Sequence, residues 1–251
     1  MSAVIVACHT IEDELNLAIR ETRVTHPVFW IDSKLHVKPE NLREQVQGTI
    51  SRITNVSAIL LAFGCCGTGL VGIKSETAQL ILPKVEDCIS LLLGSEERRR
   101  TMARESASYF LTRGWLESEN NLQTEYDYCM RKFGPERTVR VMRTMLKHYR
   151  HLTLIDTGGY NIDLYRRRTE ELATTLGLSH QVVEGSQRFF RKLLLGPWDE
   201  EFIIARPGES ITLDALLESN MQGQTREQTT GFSQLSQGQG QTRTATPSTQ
   251  D

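Results

Sequence analysis

Short apolar runs alternate along this chain with stretches whose apolar positions recur every three or four residues. The runs fall at 4–7, 28–31, 58–63, 79–82, 108–111, 152–155, 181–183 and 202–205. Most are continuous rather than alternating, the pattern of parallel strands covered on both faces. Helices between them are predicted from their end signals. Thr10 stands as an N-cap before 11–15, and Pro39 occupies a first helical turn. Leu122, Tyr126, Cys129, Met130 and Phe133 share one face until Gly134-Pro135 interrupts it; Val139, Met142, Leu146 and Tyr149 resume the pattern. Two further helices are predicted over 163–176, stopped by Gly177, and 186–195, stopped by Gly196-Pro197.

Strand–helix alternation of this kind implies one α/β domain over 1–217, with a mainly parallel, Rossmann-like sheet and helices on both faces. The helical stretch at 115–150 exceeds what one crossover needs and is expected to be an insertion or cap. From 218 to 251 the chain becomes a Gln, Thr, Ser and Gly tract. It is too poor in apolar residues to offset its ordering entropy, so a disordered polar tail is expected.

Composition changes this picture little. With 251 residues, 39% of them hydrophobic, the chain can bury a sizeable core. A formal net charge of −2 offers no attraction to nucleic acid or an anionic membrane. No apolar run approaches the roughly 20 residues of a membrane span. The first residues, Met1 to Cys8, lack the basic flank of a signal peptide and read as a strand. A cytoplasmic location is therefore expected, where thiols stay reduced. Five cysteines are odd in number and too sparse for a disulfide scaffold. Metal, cluster or catalytic roles come before bridges.

In parallel sheets, ligands bind beyond the carboxyl ends of the strands. There the chain carries Cys8-His9, Asp32, Gly64-Cys65-Cys66-Gly67-Thr68-Gly69, Glu86-Asp87-Cys88, Thr112-Arg113-Gly114, Asp156-Thr157-Gly158-Gly159 and Arg206-Pro207-Gly208. Three of these segments hold thiols. If their strands are neighbours, about 4.8 Å apart, Cys8, Cys66 and Cys88 could surround one metal ion. Zinc with an open fourth position, or an iron–sulfur cluster with one free corner, suits three thiolates. His9 and Glu86 are candidate fourth ligands. The plainer alternative is that Cys8 and Cys88 are small core residues. The glycine-rich turn through Gly64, Gly67 and Gly69, and likewise Gly158, could bring backbone N–H groups to a bound anion or cofactor, or merely make tight turns. It is neither a Walker loop nor a dinucleotide fingerprint. Asp156 could serve as ligand, base or helix-capping acid. Cys129 reads as core, and Arg98-Arg99-Arg100 and Arg166-Arg167-Arg168 as solvated helix faces.

These edge segments resemble a bacterial and archaeal family known as domain of unknown function 1638. The resemblance is carried by Ala7-Cys8 with Glu14-Leu15, by residues 64–70, by 82–89 running into 91–95, and by 109–115. Ile155-Asp156-Thr157-Gly158, Glu184-Gly185 and Gly196-Pro197-Trp198-Asp199 complete it. It implies that Cys8, Cys66 and Cys88 are the family's thiols and Cys65 an extra one. Glu86 departs from the family pattern, in which a histidine stands at that place. The family's company with corrinoid-dependent methyl transfer implies one-carbon, methyl or amine metabolism.

Two functions are expected to compete. One is a metal-dependent enzyme, a transferase or lyase, in which Cys8, Cys66 and Cys88 hold zinc, iron or an iron–sulfur centre. Asp156, Glu86, Asp87 and Arg113 would then orient or protonate a small polar substrate. The other is a non-catalytic accessory protein that binds or delivers a metal or corrinoid. Metal-free thiol catalysis by Cys66 is a weaker third, because three thiols on one rim exceed what a nucleophile needs.

Overall fold

β1 (Ala3–Cys8) and β3 (Ala58–Ala62) are buried at every residue, as continuous apolar runs require when helices cover both faces. Around them the computed structural model, which describes residues 2–65, 68–119 and 121–216, builds two sheets. The first has the order β2-β1-β3-β4-β8, with β2 at Val28–Ile31, β4 at Gln79–Pro83 and β8 at Phe202–Ala205. Its first four strands are parallel and β8 closes one edge antiparallel to β4. The second sheet is parallel throughout, with the order β5 (Ser108–Leu111), β6 (His151–Asp156), β7 (Ser179–Glu184). The tail expected from 218 lies outside the described residues.

All eight expected strands form, yet in two sheets with separate apolar clusters. Strand patterning reports that a face is covered, not which strand lies beside which, so the division was invisible in it. The helices are α1 (Glu12–Thr22), α2 (Pro39–Ile50), α3 (Cys88–Leu93), α4 (Glu96–Glu105), α5 (Arg113–Leu116), α6 (Leu122–Phe133), α7 (Pro135–Met145), α8 (Ile162–Leu176) and α9 (Arg188–Leu195). The stretch expected as an insertion or cap is the crossover from β5 to β6. Leu122, Cys129, Met142 and Leu146 of that stretch pack with Leu152 and Leu154 of β6. None of the described helices is long and apolar enough to cross a membrane.

The chain leaves the first sheet between α4 and β5 and returns between β7 and α9. As a result the carboxyl ends of the two sheets face each other. A Cβ on Gly114, after β5, would overlap the carbonyl of Thr10, after β1. One on Gly159, after β6, would sit 3.0 Å from the Asp13 carbonyl carbon. Ser186, after β7, donates its N–H to the Leu92 carbonyl at 2.7 Å. Glycine is needed at 114 because two backbones touch there.

Candidate functional site

The strand order settles the condition on which a shared thiol site depended. β1 and β4 flank β3 directly, so the segments bearing Cys8, Cys65-Cys66 and Cys88 leave adjacent strands. Cys8 is fully buried at the end of β1, its Sγ 3.0 Å from Thr10 Oγ1. Cys88 is buried as the first residue of α3, behind the N-cap Asp87. Cys66 and Gly67 lie outside the described residues. The loops after β3 and β4 are pressed together. Cys65 donates its N–H to Val85 O at 3.0 Å, and a Cβ on Gly64 would stand 2.5 Å from the Cys88 nitrogen. Close approach of two loops thus accounts for Gly64. Burial, aided by the nearby Glu96 and Cys88 charges, pushes the Cys65 thiol up to about 12. Gly69 lies in the turn that follows. Among the described residues no three His, Cys, Asp or Glu side chains are grouped to hold a metal ion.

The charged candidates are anchored by protein partners. Glu86 pairs with Arg100 at 2.7 Å, and Asp87 caps α3 by accepting from Ser90 N at 2.9 Å, with Arg99 at 3.5 Å. Arg98 donates to Glu184 O at 2.7 Å, joining α4 to the end of β7. The triplet Arg98-Arg99-Arg100 is therefore not merely a solvated face, because α4 lies between the two rims. By contrast, Arg166, Arg167 and Arg168 make exposed pairs with Asp163, Glu171 and Glu117, as expected of a solvated face. His9 turns outward, stacked on Trp30 and paired with Glu12 at 2.9 Å. Asp156 accepts from Gly158 N at 3.2 Å, with Gly158 at φ +71°, so it closes a turn. The cap of α8 is Asn161 rather than Asp156.

Where the two rims meet, the structure adds residues that pattern reading did not single out. Arg113 forms an ion pair with Asp13, whose charge raises the guanidinium's affinity for its proton. Burial nevertheless holds the Asp13 carboxyl above its ordinary value. Beside it Glu14, in the first turn of α1, is 1% exposed. Its Oε1 accepts the Thr157 hydroxyl at 2.7 Å, while Oε2 has no hydrogen-bond partner among the described residues. Burial raises this carboxyl to about 7, against the lowering effect of the Thr157 hydrogen bond. Gln187 donates Nε2 to the Thr157 carbonyl at 3.0 Å, and Tyr160 donates to the Ile155 carbonyl. Burial, with Glu14 and Asp156 near, raises the Tyr160 phenol as well.

Two surface cavities lie elsewhere. One of about 230 Å³ sits between α2 and residues 74–77, and one of about 480 Å³ lies along α7. Neither is lined by a rim residue. A family model described as "Protein of unknown function (DUF1638)" matches residues 30–194. That span includes Cys66, Cys88, Arg113, Asp156 and Gln187 but begins after Cys8 and Glu14. No curated protein and no solved structure matches the chain.

Proposed function

We propose that this chain, which belongs to the DUF1638 family, is a cytoplasmic small-molecule enzyme of the transferase or lyase kind whose site lies between its two facing sheet rims. In this reading Cys8, Cys66 and Cys88 hold a zinc or iron ion, or an iron–sulfur centre. The observation that carries it is the adjacency of β1, β3 and β4, which delivers three thiol-bearing segments to one edge. The donor set fits: thiolates suit zinc and iron, and two of the three sit in surroundings closed to water. When bound, such a centre would supply a Lewis acid with one open coordination position.

The protein's own residues do the rest. Arg113, steadied by Asp13, and Asp156 present charge at the second rim, where a small polar substrate would be oriented. Glu86 and Asp87, fixed by Arg100 and Arg99, hold the loop that carries Cys88. Partners on this reading are small molecules, not nucleic acid or membrane.

Anaerobic purification of the full chain after metal-replete expression, followed by metal analysis and an absorption spectrum, tests the centre. Wild-type protein should carry metal that Cys66→Ser lacks. Equal and negligible metal in both would end the thiolate reading. Exogenous cyanide or thiol should perturb the spectrum if a position is open. A bound metal indifferent to both, and removable only by unfolding, would favour a structural site over catalysis.

A further inference from the structure

Against a formal net charge of −2, residues 131–150 hold seven lysines and arginines and a single acidic residue, Glu136. Three of those cations, Arg140, Arg143 and Lys147, line one surface cavity of about 480 Å³ along α7, together with Glu136, Val139 and Thr144. All three are exposed, and among the described residues none of them forms an ion pair. The other arginine runs differ in this respect. Arg99 and Arg100 are paired with Asp87 and Glu86, and Arg166, Arg167 and Arg168 with Asp163, Glu171 and Glu117.

Like charges one turn apart destabilise a helix, so three cations on successive turns are unfavourable without an anion among them. The dipole of α7 favours a cation in its last turn, which accounts for Arg143. It does not account for Arg140 a turn earlier, nor for the hollow that all three share. Arg143 is also laid across the end of α8, its Nε 3.6 Å from where a Cβ on Gly177 would stand. Thr144 gives its hydroxyl hydrogen to the Arg140 carbonyl at 2.8 Å, so the cations supply the donors to any occupant. Guanidinium and ammonium groups match phosphate oxygens, and three of them along one hollow suit an anion of several charges. The cavity volume lies within the range of small-molecule sites.

We propose that this cavity binds a small phosphorylated anion carrying at least two negative charges, held by Arg140, Arg143 and Lys147. Glu136, one turn before Arg140 in the same cavity, opposes negative charge at that end and so limits affinity. The site is separate from the rim residues and does not depend on the thiolate centre.

Calorimetric titration of the full chain with sodium pyrophosphate at neutral pH tests the proposal, with sodium acetate at equal ionic strength as the control. Pyrophosphate should bind saturably at one site and acetate should not. Arg140→Ala/Lys147→Ala, shown to be folded by circular dichroism, should weaken binding by about tenfold or more. Glu136→Gln should tighten it by about twofold or more, a gain that misfolding cannot produce. Arg166→Ala/Arg167→Ala removes the same charge from residues outside the cavity and should leave binding unchanged. Unsaturable binding, equal binding of acetate, equal loss in both double variants, or an unaltered affinity in Glu136→Gln would each overturn the proposal. Pyrophosphate also chelates metal ions, so Cys66→Ser should bind it like wild type; dependence on Cys66 would assign the signal to the thiolate centre instead.

Discussion

Replacing Glu14 by glutamine keeps the shape of the side chain and its acceptor for the Thr157 hydroxyl while removing its titration. The folded carboxyl is raised from 4.5 to about 7, chiefly by burial. An acid shifted in this direction keeps its proton in the folded chain and has lost it in the unfolded chain between those two values. Stability therefore declines as pH rises from about 4.5 to about 7, and the Glu14 contribution is constant above that window. The shift corresponds to about 3 kcal/mol. Glutamine has no such slope. Urea unfolding at half-unit pH steps should give stabilities close together at the acid end and a variant about 3 kcal/mol more stable at the alkaline end. Asp13, also raised by burial, titrates in both proteins and cancels in the difference. Parallel pH profiles would show that Glu14 is solvated and that the junction is not closed to water.

Four further outcomes follow from the same geometry. Gly114→Ala should cost about 2 kcal/mol or more, because the added Cβ meets the Thr10 carbonyl. Gly48→Ala, inside α2 with only the end of Arg52 at 3.9 Å, should gain about 0.5–1 kcal/mol in the same denaturant assay. Thr157→Val should cost about 1–3 kcal/mol where Glu14 is ionised, and the loss should shrink in the Glu14→Gln background in a double-mutant cycle. Cys65, buried and with its thiol held up to about 12, should escape iodoacetamide in the native protein and react after unfolding, as mapped by mass spectrometry.

The elements were legible because each announces itself locally. The run at 202–205 is a strand by its own composition, and Gly134-Pro135 breaks α6 from α7 wherever those helices pack. α4 was read only through its arginine triplet, as a solvated helix face, and α3 and α5 were not read. α3 is buried at five of six positions and α4 at none, so neither shows the two-sided contrast on which helical periodicity depends. The partition into two sheets was invisible for a related reason. β3 is wholly apolar and β6 carries Leu152, Leu154 and Ile155 among polar neighbours, but nothing along either strand says that one pairs with β1 and the other with β5.

The site was legible in the same uneven way. The location proposed for it came from a topological rule, since parallel strands present loops at their carboxyl ends, and both sheets are built that way among their parallel strands. What the rule omits is that two such edges can close on each other. The residues that matter at that closure carry a fainter signal. Glu12-Asp13-Glu14 looks like an ordinary acidic first turn, favoured by the helix dipole. Yet Ile11, Leu15 and Ala18 define the buried stripe of this segment, and Glu14, three residues after Ile11 and four before Ala18, falls on that stripe. A carboxylate on an apolar stripe must find a partner or change its proton affinity. Here one oxygen finds Thr157, and burial raises the carboxyl to about 7. Thr157 and Gln187 are uncharged and break no pattern of their own, so they are recognised only once the second rim is seen standing over α1.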